Sequence, residues 1–387
     1  VKCRELGAIA PLLRLLEPPD EGPPDRELQR RGVWTLSNIA CESTAAKQLR
    51  QSPSGFYPLI HIIAGGDPIL QRPAAACLFN ASANDLGAPT AIENTKGLPA
   101  LSDALLYADK DEEHELVASS AGVILNCAAQ AGMPHTIMSS QPECLERLHR
   151  CVKEVEHVPQ VANAIGALMN ITTESDEAVD IMLSKPDSMA LMFGILPPMK
   201  DEPSVCCHVA GVIANLVMND PGREMIVSQS GIKAIVETLE SSEDDPQTTA
   251  CCVALLNAGH QADESQSALA CRDHILDCGG INALVTCLAS ENTEVKAAAA
   301  GALLNASASA GCAEAVRDSA AEFESPSGAK SSTPGFELLL RCLHADSPLV
   351  RARAAGVLFN CAAFGPDTRL EMLNQGVVKG IAESLVS

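Results

Sequence analysis

Eight apolar stretches of this chain each hold one asparagine near their middle: "VWTLSNIA" (Asn38), "ACLFNASA" (Asn80), "GVILNCAA" (Asn126), "GALMNITT" (Asn170), "GVIANLVM" (Asn215), "VALLNAGH" (Asn257), "GALLNASA" (Asn305) and "GVLFNCAA" (Asn360). Successive asparagines are 42, 46, 44, 45, 42, 48 and 55 residues apart. A self-similar period in this range is that of a helical repeat array, in which each unit buries its apolar face only by stacking on its neighbours. Two residues before each asparagine stands Leu or Ile (Leu36, Leu78, Ile124, Leu168, Ile213, Leu255, Leu303, Leu358), so that position is expected to face the core.

A second amphipathic helix precedes most of these runs and opens at a glycine, as in "GAIAPLLRLLE" (7–17), "GFYPLIHIIA" (55–64), "GLPALSDALL" (97–106), "GIKAIVETLE" (231–240) and "GFELLLRCLH" (335–344). A shorter helical segment follows each asparagine run, for example "PGREMIVSQS" (221–230) and "PDTRLEMLNQ" (366–375). One unit is therefore a short helix and two longer ones. With aromatic residues at 3% and a single tryptophan, Trp34, the core must be made of Ala, Leu, Val, Ile, Cys and Met. Helices with such side chains pack closely.

"GREMIVSQSGIKAIVETLE" followed by "ACCVALLNAGH", and "TRLEMLNQGVVKGIAESL", resemble armadillo repeats, and the likeness extends over essentially the whole chain. The expected fold is all-α: a right-handed armadillo-type α-solenoid, one array over residues 1–387 with about eight full repeats and partial ones at the ends. Both ends read as units cut in the middle, and more solenoid beyond at least one end, or a partner covering it, is expected. The Ser/Pro/Gly-rich insertion "DSAAEFESPSGAKSSTPGF" (318–336) accounts for the 55-residue spacing and reads as a flexible loop near 318–335, with Ser325 and Thr333 before prolines.

The resemblance implies that the asparagines hold an extended segment of a partner protein by its main chain. An amide offers two donors and one acceptor and matches a peptide group without reading side chains. The alternative is that each amide satisfies a buried carbonyl of the array, and the two roles are compatible. Residues one turn on, expected on the same face, are Glu42, Asn84, Gln130, Glu174, Asn219, Gln261, Ser309 and Phe364; those one turn back are Trp34, Ala76, Gly122, Gly166, Gly211, Val253, Gly301 and Gly356. The candidate partner-binding residues are thus Trp34, Asn38, Glu42, Asn80, Asn84, Asn126, Gln130, Asn170, Glu174, Asn215, Asn219, Asn257, Gln261, Asn305 and Asn360. Importin-type members of the family carry Trp four residues before such asparagines, whereas here only Trp34–Asn38 does. The glycines either leave room for a bulky ligand or let neighbouring helices approach.

Lys and Arg number 27 against 49 Asp and Glu, a net charge of -22. That balance argues against nucleic acid or an anionic membrane and for a partner with a basic segment. The sixteen cysteines lie mostly inside apolar helical patterns, where a free thiol packs as a small hydrophobe. A reducing compartment is expected: the cytoplasm, with nucleus or cilium as alternatives. There is no phosphate loop, no G-x-G-x-x-G, no H-E-x-x-H and no C-x-x-C, and no apolar run long enough to insert in a membrane. The expectation is a non-catalytic protein-binding scaffold that holds an extended or helical segment of a partner in its concave groove through the asparagines, with no cofactor and no metal. A small-GTPase regulator of the GDP dissociation stimulator type and a docking component of a cytoskeletal or ciliary assembly are the alternatives, and a nuclear import adaptor ranks last.

Overall fold

The structure, a computed structural model, describes residues 7–17, 24–107, 110–153, 157–260, 265–324 and 330–384. Each asparagine lies on one long helix, here α1 (Arg26–Ala40), α2 (Pro68–Asn84), α3 (His114–Ala128), α4 (Val158–Glu174), α5 (Pro203–Leu216), α6 (Asp245–Ala258), α7 (Thr293–Ala306) and α8 (Pro348–Ala363). The chain divides into two compact units, 1–180 and 181–387. In the first, α1 to α4 pack successively on one another; in the second, α5 to α8 do the same. Among the described residues, no helix is long and apolar enough to cross a membrane.

The starts of these helices follow from local chemistry. The side chains of Asp25, Asp67, Asp244, Asn292 and Ser347 each accept a hydrogen bond from a backbone N–H in the first helical turn. Such a cap satisfies a donor that the helix itself leaves unpaired. Glutamines in the first turn of α1, α2 and α4 serve the helix before. Gln29 donates to the Leu15 carbonyl at 3.1 Å, Gln71 to Ile63 at 2.6 Å and Gln160 to Cys151 at 3.1 Å. In α8 an arginine takes that place, Arg351 donating to Ala345 and Asp346 at 2.8 and 3.0 Å.

Left-handed backbone marks the turn into the second helix of a unit, at Gly7, Gly55, Lys96, Ser230, Gly279 and Gly376. In two repeats the glycine read from the sequence as the turn is instead the residue after it. Ser230 carries the positive φ of 58°, and Gly231 is required because a Cβ there would lie 2.2 Å from the Phe193 ring. Glycine in this motif thus answers to backbone conformation in some units and to close packing in others.

Every position two residues before an asparagine is 1% exposed or less, from Leu36 to Leu358. The insertion differs from the flexible loop expected. Ala320–Glu324 (β1) and Lys330–Pro334 (β2) form an antiparallel ladder, with Ala320 opposite Pro334 and Thr333 opposite Ala321. Its base is anchored: Gly335 N–H donates to the Ser319 carbonyl at 2.9 Å, Ala321 is fully buried, and β1 packs on helix Gly280–Cys287. Ladder pairing and the buried Ala321 outweigh a loop-like composition. Ser325 lies outside the described residues, and Thr333 is half-buried in β2.

The cysteines pack as expected of core residues. Among the described ones all are free, only Cys41 is exposed, and Cys207, Cys278 and Cys287 are half-buried. Burial pushes the thiols of Cys127, Cys144 and Cys361 up to about 12. We expect iodoacetamide at pH 8 to label Cys41 rapidly and Cys127, Cys144 and Cys361 only after denaturant is added, with site-resolved mass spectrometry as the readout. A folded-state pKa above the unfolded value of about 9 contributes stability that is complete below pH 9 and lost as pH rises toward 12. The urea midpoint should therefore fall over that range, and less steeply in a Cys127→Ala/Cys361→Ala double variant.

Candidate partner-binding face

The asparagine amides form a ladder with a fixed register. Asn80 Nδ2 donates to the Ser37 carbonyl at 3.0 Å and Asn170 Nδ2 to the Leu125 carbonyl at 3.1 Å in the first unit. In the second, Asn257 donates to Ala214 at 3.0 Å, Asn305 to Leu256 at 2.8 Å and Asn360 to Leu304 at 3.0 Å. Every acceptor is the residue just before the asparagine of the preceding long helix. Asn126 keeps the register through a relay: its Nδ2 reaches Ser82 Oγ at 2.9 Å, and that hydroxyl donates to the Phe79 carbonyl at 2.9 Å. Ser307 stands in the equivalent place and accepts from Asn360 Nδ2 at 3.2 Å as well.

These bonds use the Nδ2 group of each amide, and Asn80 Nδ2 also reaches Ser37 Oγ at 3.3 Å. Among the described residues, the Oδ1 atoms of Asn80, Asn126, Asn170, Asn257, Asn305 and Asn360 accept no hydrogen bond, and all but Asn360 are half-buried rather than buried. Asn215 is bonded too, and Asn38, on the first of these helices, is exposed, as is Trp34 at 40%. Each rung thus has an inward donor held in place and an acceptor with capacity to spare.

The glycines one turn back are filled from the neighbouring helix. A Cβ on Gly122 would sit 2.5 Å from the Phe79 ring, one on Gly301 2.6 Å from Leu256 Cδ1, and one on Gly356 2.6 Å from Leu304 Cδ1. Phe79, Leu256 and Leu304 are the residues whose carbonyls take the ladder bonds, directly or by relay. One residue therefore gives its carbonyl to the next helix's asparagine and its side chain to the next helix's glycine. Close helix approach, and not open space for a ligand, is what these three glycines provide. The side chain of Asn163 also approaches Gly122, and that of Arg353 approaches Gly301, and both donate across the stack, to Ala118 at 2.8 Å and to Ala297 at 2.7 Å.

Where the carbonyl donor residue is small, the next helix has a side chain in place of glycine: Ser37 precedes Ala76, and Ala214 precedes Val253. This size exchange between adjacent units was visible in the sequence, but only once the pairing partner is known. Beside Ala214 and Val253 lies a cavity of about 260 Å³ lined also by Gly211, Ala250, Asp245 and Glu294.

The residues one turn after the asparagines turn mostly to the array itself. Gln130 donates to the Leu86 carbonyl at 2.6 Å, and a Glu174 carboxylate oxygen accepts from Gly132 N–H at 2.8 Å. Asn84 donates to the Asn80 carbonyl at 2.8 Å, and Asn219 and Ser309 cap the next short helices. Glu42 has a partner within the chain, and Gln261 lies outside the described residues. These positions sit where the long helix ends; Asn84, Asn219 and Ser309 bond locally there, whereas Gln130 and Glu174 bridge to the neighbouring repeat. No group of three or more His, Cys, Asp or Glu side chains among the described residues is arranged to hold a metal ion.

Residues 270–308, the span ending in α7, match the armadillo/beta-catenin-like repeat. An engineered protein of known crystal structure superposes on 98% of the chain and 84% of its own with a TM-score of 0.78 at 23% identity. The chain has the fold of an armadillo-type α-solenoid. A structure from work on a phosphorylation switch controlling the interaction between cadherin and beta-catenin covers 94% of this chain and 70% of its own, at TM-score 0.72 and 17% identity. A computationally designed armadillo repeat protein for modular peptide recognition covers 64% and 99%, at 0.53 and 17%. No curated protein matches the sequence significantly.

The paired fit of side chain and glycine between armadillo units has a measurable consequence. Gly301→Leu should destabilise by about 1–3 kcal/mol through overpacking against Leu256. Adding Leu256→Ala should recover part of that loss, so that a double-mutant cycle in urea gives a favourable coupling between the two sites. Asn305→Ala is expected to be milder: about 1 kcal/mol of hydrogen bond is lost, offset by about half that in helix propensity.

Proposed function

We propose that this armadillo array is a non-catalytic scaffold that binds a segment of another protein along its asparagine face. The row of half-buried amides, each oriented by its inward hydrogen bond and each with an Oδ1 that accepts none among the described residues, carries this reading. An acceptor already held in place loses little entropy when a peptide N–H reaches it. The armadillo neighbours support the class of partner, since one comes from work on a protein–protein interaction and another was designed to recognise peptides.

A basic segment suits the face in the second unit. The cavity beside Ala214 and Val253 offers apolar walls for an aliphatic stem, with the carboxylates of Asp245 and Glu294 at its lining. Lys and Arg bury their stems while keeping the charged head hydrated or paired. The net charge of -22 adds long-range attraction for such a segment.

The test is a selection of extended peptides against the folded chain, followed by an N-methyl scan of the best binder. Removing a peptide N–H that reaches an asparagine should weaken binding about five-fold per position, the equivalent of about 1 kcal/mol. A triple Asn126→Ala/Asn170→Ala/Asn257→Ala variant with unchanged circular dichroism should lose most of the affinity. Binding that survives both changes would place the ligand elsewhere on the array and leave the ladder a purely structural device.

A further inference from the structure

The thiols of Cys252 and Cys287 are hydrogen-bonded to each other across a joint between repeats. Cys252 lies five residues before Asn257 in α6 and is fully buried, whereas Cys287, the last residue of helix Gly280–Cys287 in the next repeat, is half-buried. Cys287 also lines a cavity of about 480 Å³ together with Glu240, Glu243, Asp245, Asn282 and Thr286. One sulfur of the pair is thus reached from a cavity, and the other is sealed in the core. At the neighbouring joints the same two repeat positions hold Ala210 and Thr238 on one side and Ala300 and Cys342 on the other. Alanine opposite threonine or cysteine therefore serves at this register, and packing alone does not account for two thiols. The hydrogen bond from Cys252 holds the Cys287 thiol below the ordinary thiol range against its partial burial, while the same bond, together with burial, raises Cys252 well above it. Since the thiolate is the nucleophile, the cavity-lining sulfur is the one that reacts first.

We propose that Cys287 and Cys252 form an oxidisable dithiol, a modification site at which a hydroperoxide entering the cavity converts the pair to a disulfide that staples α6 to the following repeat. The Cys287 thiolate attacks one peroxide oxygen: an S–O bond forms as the O–O bond breaks, and the departing oxygen takes up the proton lost from Cys287 and leaves as water or an alcohol. The Cys252 sulfur then attacks the sulfur of the sulfenic acid so formed. The S–S bond forms as the S–O bond breaks, and the hydroxyl leaves as water with the Cys252 proton. Two thiols thereby lose two electrons to one peroxide, and a dithiol reductant returns them. The carboxylates of Glu240, Glu243 and Asp245 set the preference of the cavity among thiol reagents: neutral peroxide enters freely, cations are favoured and anions repelled.

The test exposes the reduced, full chain to hydrogen peroxide at neutral pH and maps its peptides by tandem mass spectrometry under non-reducing conditions. A Cys252–Cys287 linked peptide that disappears with dithiothreitol is expected. The linked protein should unfold at a higher urea midpoint than the reduced one, because the bond closes residues 252–287 into a loop in the unfolded chain. In Cys252→Ala the reaction should stop at the sulfenic acid, trapped by dimedone on Cys287, whereas in Cys287→Ala no adduct should form on Cys252. Circular dichroism of the reduced variants checks that they fold, and the peptide map of the unsubstituted chain decides the pairing if either does not. A cationic methanethiosulfonate should modify Cys287 about ten-fold faster than an anionic one, and Glu240→Gln/Glu243→Gln should narrow that ratio; equal rates would overturn the route through the cavity. Peroxide that oxidises exposed Cys41 and leaves both Cys252 and Cys287 reduced, a link from Cys287 to Cys251 instead, or a lower urea midpoint for the linked protein would overturn the proposal.

Discussion

The joint between successive long helices governs the structure within each unit. A hydrogen bond from an asparagine to a helix carbonyl is worth only about 1 kcal/mol, and a leucine seated over a glycine contributes through dispersion and the exclusion of water. Their importance lies in acting on the same residue. With the carbonyl held by the amide and the side chain held by the glycine, the register of one helix on the next is set along the axis and around it. A slip by one residue would break both contacts and leave a polar amide without its partner in a half-buried setting.

This arrangement explains why the core can be so poor in aromatic residues. Ala, Gly and Cys allow the long helices to lie close, and interdigitated small side chains reach the density that larger ones achieve in ordinary cores. The buried cysteines belong to this packing, as the upward shift of Cys127, Cys144 and Cys361 reflects. Glutamine and arginine side chains near the helix starts bind the last carbonyls of the preceding helix, and buried Arg272 does the same at the end of α6, donating to Gly259 and His260 at 3.0 and 2.7 Å. Several of the buried polar side chains are thus spent on helix ends, where a solenoid has unpaired backbone to satisfy.

On the proposed scaffold reading, the amide ladder would join stability to recognition without assigning the asparagines to either alone. One donor is committed to the array, which orients the group; the acceptor is what a partner's backbone would meet. A face built in this way is sequence-tolerant along its length, and discrimination has to come from side-chain pockets such as the one flanked by Asp245 and Glu294.

The period of the asparagines, the apolar residue two places before each and the short-long-long helix order were legible in the sequence, because each depends on local periodicity and on burial that repeats in every unit. What the glycines were for was not. Gly122, Gly301 and Gly356 could be room for a ligand or places of close helix approach, and only the neighbouring helix, more than forty residues away in the chain, decides it: Phe79, Leu256 and Leu304 occupy that room. The same holds for Glu174, Gln130 and Asn219, whose polarity suggested a binding face; the first two bond the backbone of the neighbouring repeat and the third caps the next short helix. The insertion 318–336 reads as a loop from its composition, and a ladder with Ala321 buried at its base makes it a ribbon. Sequence by itself determined the repeat, its length and its helices, since those follow from interactions within a few residues of each position. Tertiary structure decided which side of each amide is spoken for and which small residues are sockets, since both depend on a register between helices that no local pattern specifies.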